Sequence, residues 1–208
     1  MADKTCILIL NTPYSGGSVV AGILNNLGVP VGEDPSRGII DYHAWQLNTM
    51  LCGQVENPKI SYSAPRNSQG SIKYYLTEKK ETMWGACDVR FCMTAPDYMD
   101  AAEAVGVELL VIIPVRTPHH SVLNMLKAEK DLRMERAADL FGRYSTARSM
   151  NTERFLLLNK DNKEKVLYVS FEQMIENPKE VVDSIVSFLK LEPSQEQKDA
   201  ATASVKKS

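Results

Sequence analysis

The sequence predicts an α/β fold, a single-domain parallel sheet flanked by helices, and three observations lead to it. Short apolar or β-branched runs bounded by turn residues recur at 6–10, 108–115 and 165–171. Segments with apolar residues at helical spacing separate those runs. A Gly-rich stretch stands between the first run and the first helical segment, which is where folds of this class bind anions.

The run 6–10 is apolar throughout and reads as a strand buried on both faces. Val19, Val20, Ile23, Leu24 and Leu27 then recur at helical spacing, and Gly28 offers the stop. Residues 56–80, rich in Ser, Asn, Lys, Tyr, Pro and Gly without a sustained apolar period, read as a long loop or mobile lid. A weaker strand is expected at 84–89, where Gly85 and Ala86 lower the β-propensity. After the run 108–115, Thr117 can cap a helix with Pro118 in its first turn and Val122, Leu123, Met125 and Leu126 along one side.

From 132 to 158, Met134, Ala137, Ala138, Phe141, Tyr144, Arg148 and Phe155 keep a helical period, which predicts one long or broken helix packed across the sheet. The run 165–171 completes the strands. Asn177-Pro178 with Glu180 opens a last helix that buries Val181, Val182, Ile185, Phe188 and Leu189. There is no internal repeat and no mark of a second domain, so 1–208 reads as one unit.

The chain is 44% hydrophobic and 24% charged, with a formal net charge of -2. That balance favours neither nucleic acid nor an anionic membrane as partner. No apolar stretch has the length of a membrane span and the start lacks the core of a signal peptide, so a soluble cytoplasmic protein is expected. Cysteines 6, 52, 87 and 92 lack C-x-x-C spacing, and no metal site is expected. Oligomeric state leaves no trace in the sequence.

The stretch Asn11-Thr12-Pro13-Tyr14-Ser15-Gly16-Gly17-Ser18 follows a strand and opens a helix. Glycines let backbone N–H groups approach an anion, and the helix N-terminus adds a favourable partial charge. The same residues also suit a plain strand-to-helix turn. Compared with the nucleoside-triphosphate loop G-x-x-x-x-G-K-[ST], Asn11 replaces the first Gly and Gly17 the Lys, which counts against a phosphotransferase.

Residues 12–18 resemble, in register, the phosphate loop of the sulfotransferases that use 3′-phosphoadenosine 5′-phosphosulfate (PAPS). Leu24 to Gly32 is similar to the family's continuation. Val111 to Pro118 looks like its strand ending in R-x-P, with Arg116 at the arginine and Asn124 where the family has a Ser. Trp84 to Arg90 resembles W-G-x-K-D-P-R with Cys87 and Val89 substituted. Val169 to Pro178 resembles the family's Y-E-D-L-x-x-x-P, with Phe171 at the Tyr and Lys190 where the later F-L-G has Gly.

The resemblance implies a P-loop sulfotransferase-like architecture, PAPS as co-substrate, no metal, and a small-molecule or sugar acceptor with a hydroxyl or amine. It implies that Pro13, Tyr14, Ser15, Gly16, Gly17, Ser18 and Val19 bind the donor, with the amides of 15–19 and the Ser18 hydroxyl on its 5′-phosphate. Arg116 with Asn124 would hold the 3′-phosphate. Tyr14 stands at the family's catalytic cation, so it can donate a hydrogen bond but no charge. Arg90 or Arg66 are candidates to replace that cation, and Asp41, then His43, to act as base. The adjacent His119 and His120 read as donor contacts or as exposed residues. The alternative is a degenerate relative that binds a nucleotide or partner without turnover, which Tyr14 and Cys87 favour.

Overall fold

Strand β1 (Thr5–Ile9) is buried at every residue and sits inside a four-stranded parallel sheet of order β2-β1-β3-β4, with β2 at Met83–Cys87, β3 at Glu108–Val115 and β4 at Val166–Ser170. The computed structural model describes residues 4–32, 42–52, 68–129, 132–158 and 163–205. Ile9 pairs with Cys87 on one side and Ile112 on the other, and Val115 pairs with Ser170. All four expected strands are present within a residue or two of their expected ends. The parallel α/β expectation therefore holds.

Alternation along the strands divides the core in two. Ile7, Ile9, Ile112 and Val169 pack against helices α1 (Gly17–Asn26), α8 (Pro178–Leu189) and α9 (Gln195–Val205), and against Met174 of the short α7 (Phe171–Glu176). Leu8, Leu10, Val111 and Ile113 face α2 (Tyr42–Cys52), α3 (Ser68–Glu78) and α4 (Phe91–Val105). A third, smaller cluster joins Met125 of α5 (Pro118–Ala128) to Ala137 and Leu140 of α6 (Met134–Leu158).

The helix that opens at Asn177-Pro178 is not the last, since α9 follows it, and two further expectations need correction. Residues 68–78, expected to be irregular within 56–80, form α3, because Ile72, Tyr75 and Leu76 fall on one face and are buried; 53–67 lie outside the described residues. The long helix α6 is continuous but rests mainly on α4 and α5 rather than across the sheet.

The α4–α6 seam has a local cause. Pro96 lies inside α4 and has no N–H to give the Cys92 carbonyl. Asn151 of α6 donates its amide to that carbonyl at 2.7 Å. Helix α4 then stops at Gly106, φ 71°, with the Val107 N–H returning to the Ala102 carbonyl at 3.0 Å. Helix α8 ends the same way without a glycine: Lys190 takes φ 54°, and the Leu191 N–H reaches the Val186 carbonyl.

Candidate functional site

The carboxyl ends of β1 and β3 stand side by side where the chain's connections leave for opposite faces, an arrangement that opens a crevice in α/β sheets. β1 leads into a helix on one face of the sheet, whereas the connection from β2 to β3 runs through α4 on the other. Open α/β sheets bind ligands at such a switch point.

On the β1 side, residues 12–15 make a turn in which the Ser15 N–H donates to the Thr12 carbonyl at 3.1 Å. Pro13 supplies the fixed φ of the second position, and Tyr14, φ 58°, takes the positive φ of the third, as a type II turn demands. The Ser15 hydroxyl also donates to the Thr12 carbonyl, at 2.8 Å, and Ser15 is buried. Gly16 follows at φ 99°, and a Cβ there would come within 2.5 Å of the Phe171 ring; one at Gly17 would run into the Asn11 side chain. These glycines are therefore dictated by packing as well as by turn geometry.

The Val19 and Val20 N–H groups donate to the Gly16 carbonyl. With Ser15 and Val19 using their N–H groups internally, the amides left for a ligand are those of Gly16, Gly17 and Ser18 at the start of α1. No acidic side chain lies in the first turn of α1, and Ser18 is exposed. Residues expected in the phosphate loop thus gather at one place, with three free donors among them.

On the β3 side, Arg116 reaches back to the loop. Its Nη1 donates to the Tyr14 carbonyl at 3.1 Å, and its guanidinium carbon lies 3.9 Å from the centroid of the Phe171 ring. With the Asn124 amide turned so that its oxygen faces the guanidinium, that oxygen accepts from Nη1 at 2.7 Å and Nη2 at 3.0 Å. Nε of Arg116 is buried without a partner. The structure therefore brings Arg116, Asn124 and the loop together.

Glu172 fixes the turn from which Arg116 emerges. One carboxylate oxygen accepts from the N–H and hydroxyl of Thr117 at 3.0 and 2.9 Å, and the other from the Ser170 hydroxyl at 3.2 Å. Burial pulls the Glu172 carboxyl upward, but the Thr117 N–H, its own N–H and the two hydroxyls outweigh that and hold it at about 2. His120 Nδ1 stands 3.8 Å from the same carboxylate, and His119 and His120 are exposed in the first turn of α5.

The remaining candidates fall elsewhere. Arg90 is buried and paired with Asp88 at 2.6 Å, bonded as well to the Thr49 hydroxyl and the Trp45 carbonyl, so it is not a spare cation. Its role is structural: it ties α2 to the end of β2. Arg66 and Asp41 lie outside the described residues, as does the side chain of His43, whose backbone belongs to α2.

Partial burial first, then the charge and hydrogen bond of Glu129, raise the Tyr14 phenol. A phenol has one proton to donate and carries no positive charge. Burial, then Asp88 and Cys92, push the Cys87 thiol up to about 12, so it is not a nucleophile at neutral pH. Among the described residues no three His, Cys, Asp or Glu gather as metal ligands would. None of the described helices is long and apolar enough to cross a membrane.

Residues 118–207, from α5 onward, match the sulfotransferase domain family. No curated protein matches the chain. Among solved structures it is similar to a mouse sulfotransferase complexed with PAP, at 12% identity and a TM-score of 0.57 over 97% of this chain and 64% of that one. It is similar to the sulfotransferase domain of the Synechococcus PCC 7002 olefin synthase, at 17% identity and a TM-score of 0.55, covering 95% of this chain and 77% of the other. A sulfotransferase from Alicyclobacillus acidocaldarius gives 14% identity and a TM-score of 0.56, covering 92% and 84%. The likeness in space is one of fold, and with the domain match it supports the sulfotransferase resemblance.

Proposed function

We propose that the crevice between β1 and β3 binds PAPS and that the chain transfers its sulfuryl group to a hydroxyl or amine of a small-molecule or sugar acceptor. The observation that carries this reading is the meeting of Arg116, Asn124 and the loop 11–18 across the two strand ends, in the register the resemblance requires. The domain match over 118–207 and the PAP complex of the mouse protein support it.

In this reading the amides of Gly16, Gly17 and Ser18 hold the 5′-phosphate, and Arg116, oriented by Asn124 and Phe171, holds the 3′-phosphate. The acceptor oxygen or nitrogen attacks sulfur in line, the bond from sulfur to the bridging phosphate oxygen breaks, and 3′-phosphoadenosine 5′-phosphate (PAP) leaves. The acceptor proton passes to a base, for which Asp41 and His43 remain the candidates. Positioning supplies most of the acceleration, and charge building on the leaving oxygen must be met by donors already in place. The chemistry calls for no metal, and a single cytoplasmic domain is proposed with it.

One observation favours a second reading. Tyr14, whose phenol is raised by partial burial and by the Glu129 charge, stands where the family carries a cation, which suits a relative that binds the nucleotide without transfer.

Thermal unfolding tests the donor. PAP should raise the melting temperature by mass action. Arg116→Ala should reduce that shift more than it reduces the shift given by adenosine 5′-phosphosulfate, which lacks a 3′-phosphate. Equal reductions would take Arg116 out of the 3′-phosphate role. Transfer from PAPS to phenols, alcohols, amines or sugars separates the enzyme from the binding protein.

A further inference from the structure

The loop lacks a cation at position 14, and the crevice has one from another element. Arg148 lies in the middle of α6, half-buried. Its Nη1 donates to the Pro114 carbonyl at 3.2 Å. The direction of that carbonyl locates the guanidinium. Ile112 accepts from the Leu10 N–H at 3.0 Å, so its carbonyl points toward β1. Carbonyls two residues apart on a strand point to the same side, so that of Pro114 also faces β1, just beyond the last ladder bond and level with the start of the loop.

A second line of contacts leads to the same place. The Cys92 thiol donates to the carbonyl of Asn11, the first loop residue, at 3.3 Å. The Asn151 amide, three residues on from Arg148 in α6, donates to the Cys92 carbonyl at 2.7 Å, and the Arg148 charge pulls against the burial that pushes the Cys92 thiol up to about 12. No carboxylate among the described residues pairs with Arg148, whereas Arg90 is paired with Asp88, and Arg136 and Arg143 with Asp139. The hydroxyl of Ser145, three residues earlier and so on the same face of α6, is buried without a partner. A partly desolvated guanidinium bonded only to one carbonyl keeps most of its five donors unassigned.

We propose that Arg148 is the cation that meets the donor's 5′-phosphosulfate end in this crevice, in place of a basic residue in the loop. This rests on the PAPS reading. Arg116 and Arg148 then divide the donor between them, one at each phosphate. Arg148 stabilises the leaving phosphate oxygen from the α6 side, where Tyr14 offers no charge.

Calorimetric titration of wild type, Arg148→Gln and Arg148→Lys tests it, with PAP, adenosine 3′-monophosphate and inorganic pyrophosphate as probes. Arg148→Gln should weaken PAP on the order of tenfold or more, as loss of a charge-assisted bond does, and leave adenosine 3′-monophosphate unchanged. Arg148→Lys should fall between and carries the comparison if the Gln variant does not fold. Equal losses for both nucleotides, or none for PAP, would make Arg148 a strut between α6 and β3 and overturn the proposal. If wild type binds neither nucleotide the donor reading fails, and pyrophosphate decides the rest. Binding that Arg148→Gln abolishes keeps the anion site; binding that it leaves intact, or no binding at all, removes it.

Discussion

The guanidinium of Arg116 stacks on the ring of Phe171, with its central carbon 3.9 Å from the ring centroid. The same ring closes against Gly16, where an added Cβ would come within 2.5 Å of Cδ2. One half-buried aromatic residue at the end of β4 therefore fixes both the cation after β3 and the loop after β1.

Gly16→Ala should lower stability by ~2 kcal/mol or more, because a positive φ costs an L residue about 1–2 kcal/mol before the clash is counted. In a Phe171→Ala background the main clash is gone, leaving a tight contact with Met174 at 3.2 Å, and the further cost of Gly16→Ala should shrink toward the backbone strain. Denaturant unfolding of the four proteins of this cycle measures the coupling. Additive effects would mean that the ring and the glycine do not share space.

Tyr14→Lys places a positive side chain at the family's cation position and within reach of Glu129. Where the lysine reaches the bridging oxygen, sulfuryl transfer or donor hydrolysis should rise, since a charge gains more than a phenol as the leaving oxygen becomes negative. Initial rates with PAPS give the answer. A briskly active wild type that Tyr14→Lys silences would show the phenol to be adapted to the chemistry.

Glu172 makes stability depend on acid. Its carboxyl sits at about 2 in the folded chain, below the ordinary 4.5, so the fold favours its ionised form. That contribution is complete above about 4.5 and disappears as the pH falls toward about 2. Wild type should lose stability across this window more steeply than Glu172→Gln, and the two unfolding curves should approach each other at the acid end. A difference independent of pH would mean that the bonds to Thr117 and Ser170 do not depend on the carboxylate charge.

Lys190 ends α8 with φ 54°, a conformation that glycine adopts without strain. The side chain is exposed, so little packing would be lost. Lys190→Gly should stabilise the chain by ~1 kcal/mol, read as a shift in the denaturant midpoint at unchanged slope. A loss of stability would show that the Lys190 side chain contributes more than its backbone costs.

The strands were legible because the sheet is central: 6–10 is buried throughout and 109–114 nearly so, and both run apolar. The loop was legible through Gly16-Gly17, and the Arg116–Asn124 pair through register with a family. Long-range geometry left weaker marks. Arg148 looks in the sequence like one polar position on a periodic helix, since nothing local shows that α6 carries it to the end of β3. Arg90 looks like a free cation until the chain folds Thr49 and the Trp45 carbonyl over its pair with Asp88. Helix α9 leaves little periodic signal in the sequence, because only Ala201 and Val205 of its residues are buried.

The proline in α4 has a consequence beyond its own helix. By freeing the Cys92 carbonyl for Asn151, Pro96 sets the rotational phase of α6 against α4, and Arg148 lies three residues, less than one turn, from that peg. Slippage of α6 by a single residue would turn its faces by about 100° and swing the guanidinium out of the crevice. The alignment of the site's second cation is thus governed by an imino acid on another helix, and variants at Pro96 or Asn151 would misaim Arg148 while leaving the loop and Arg116 in place.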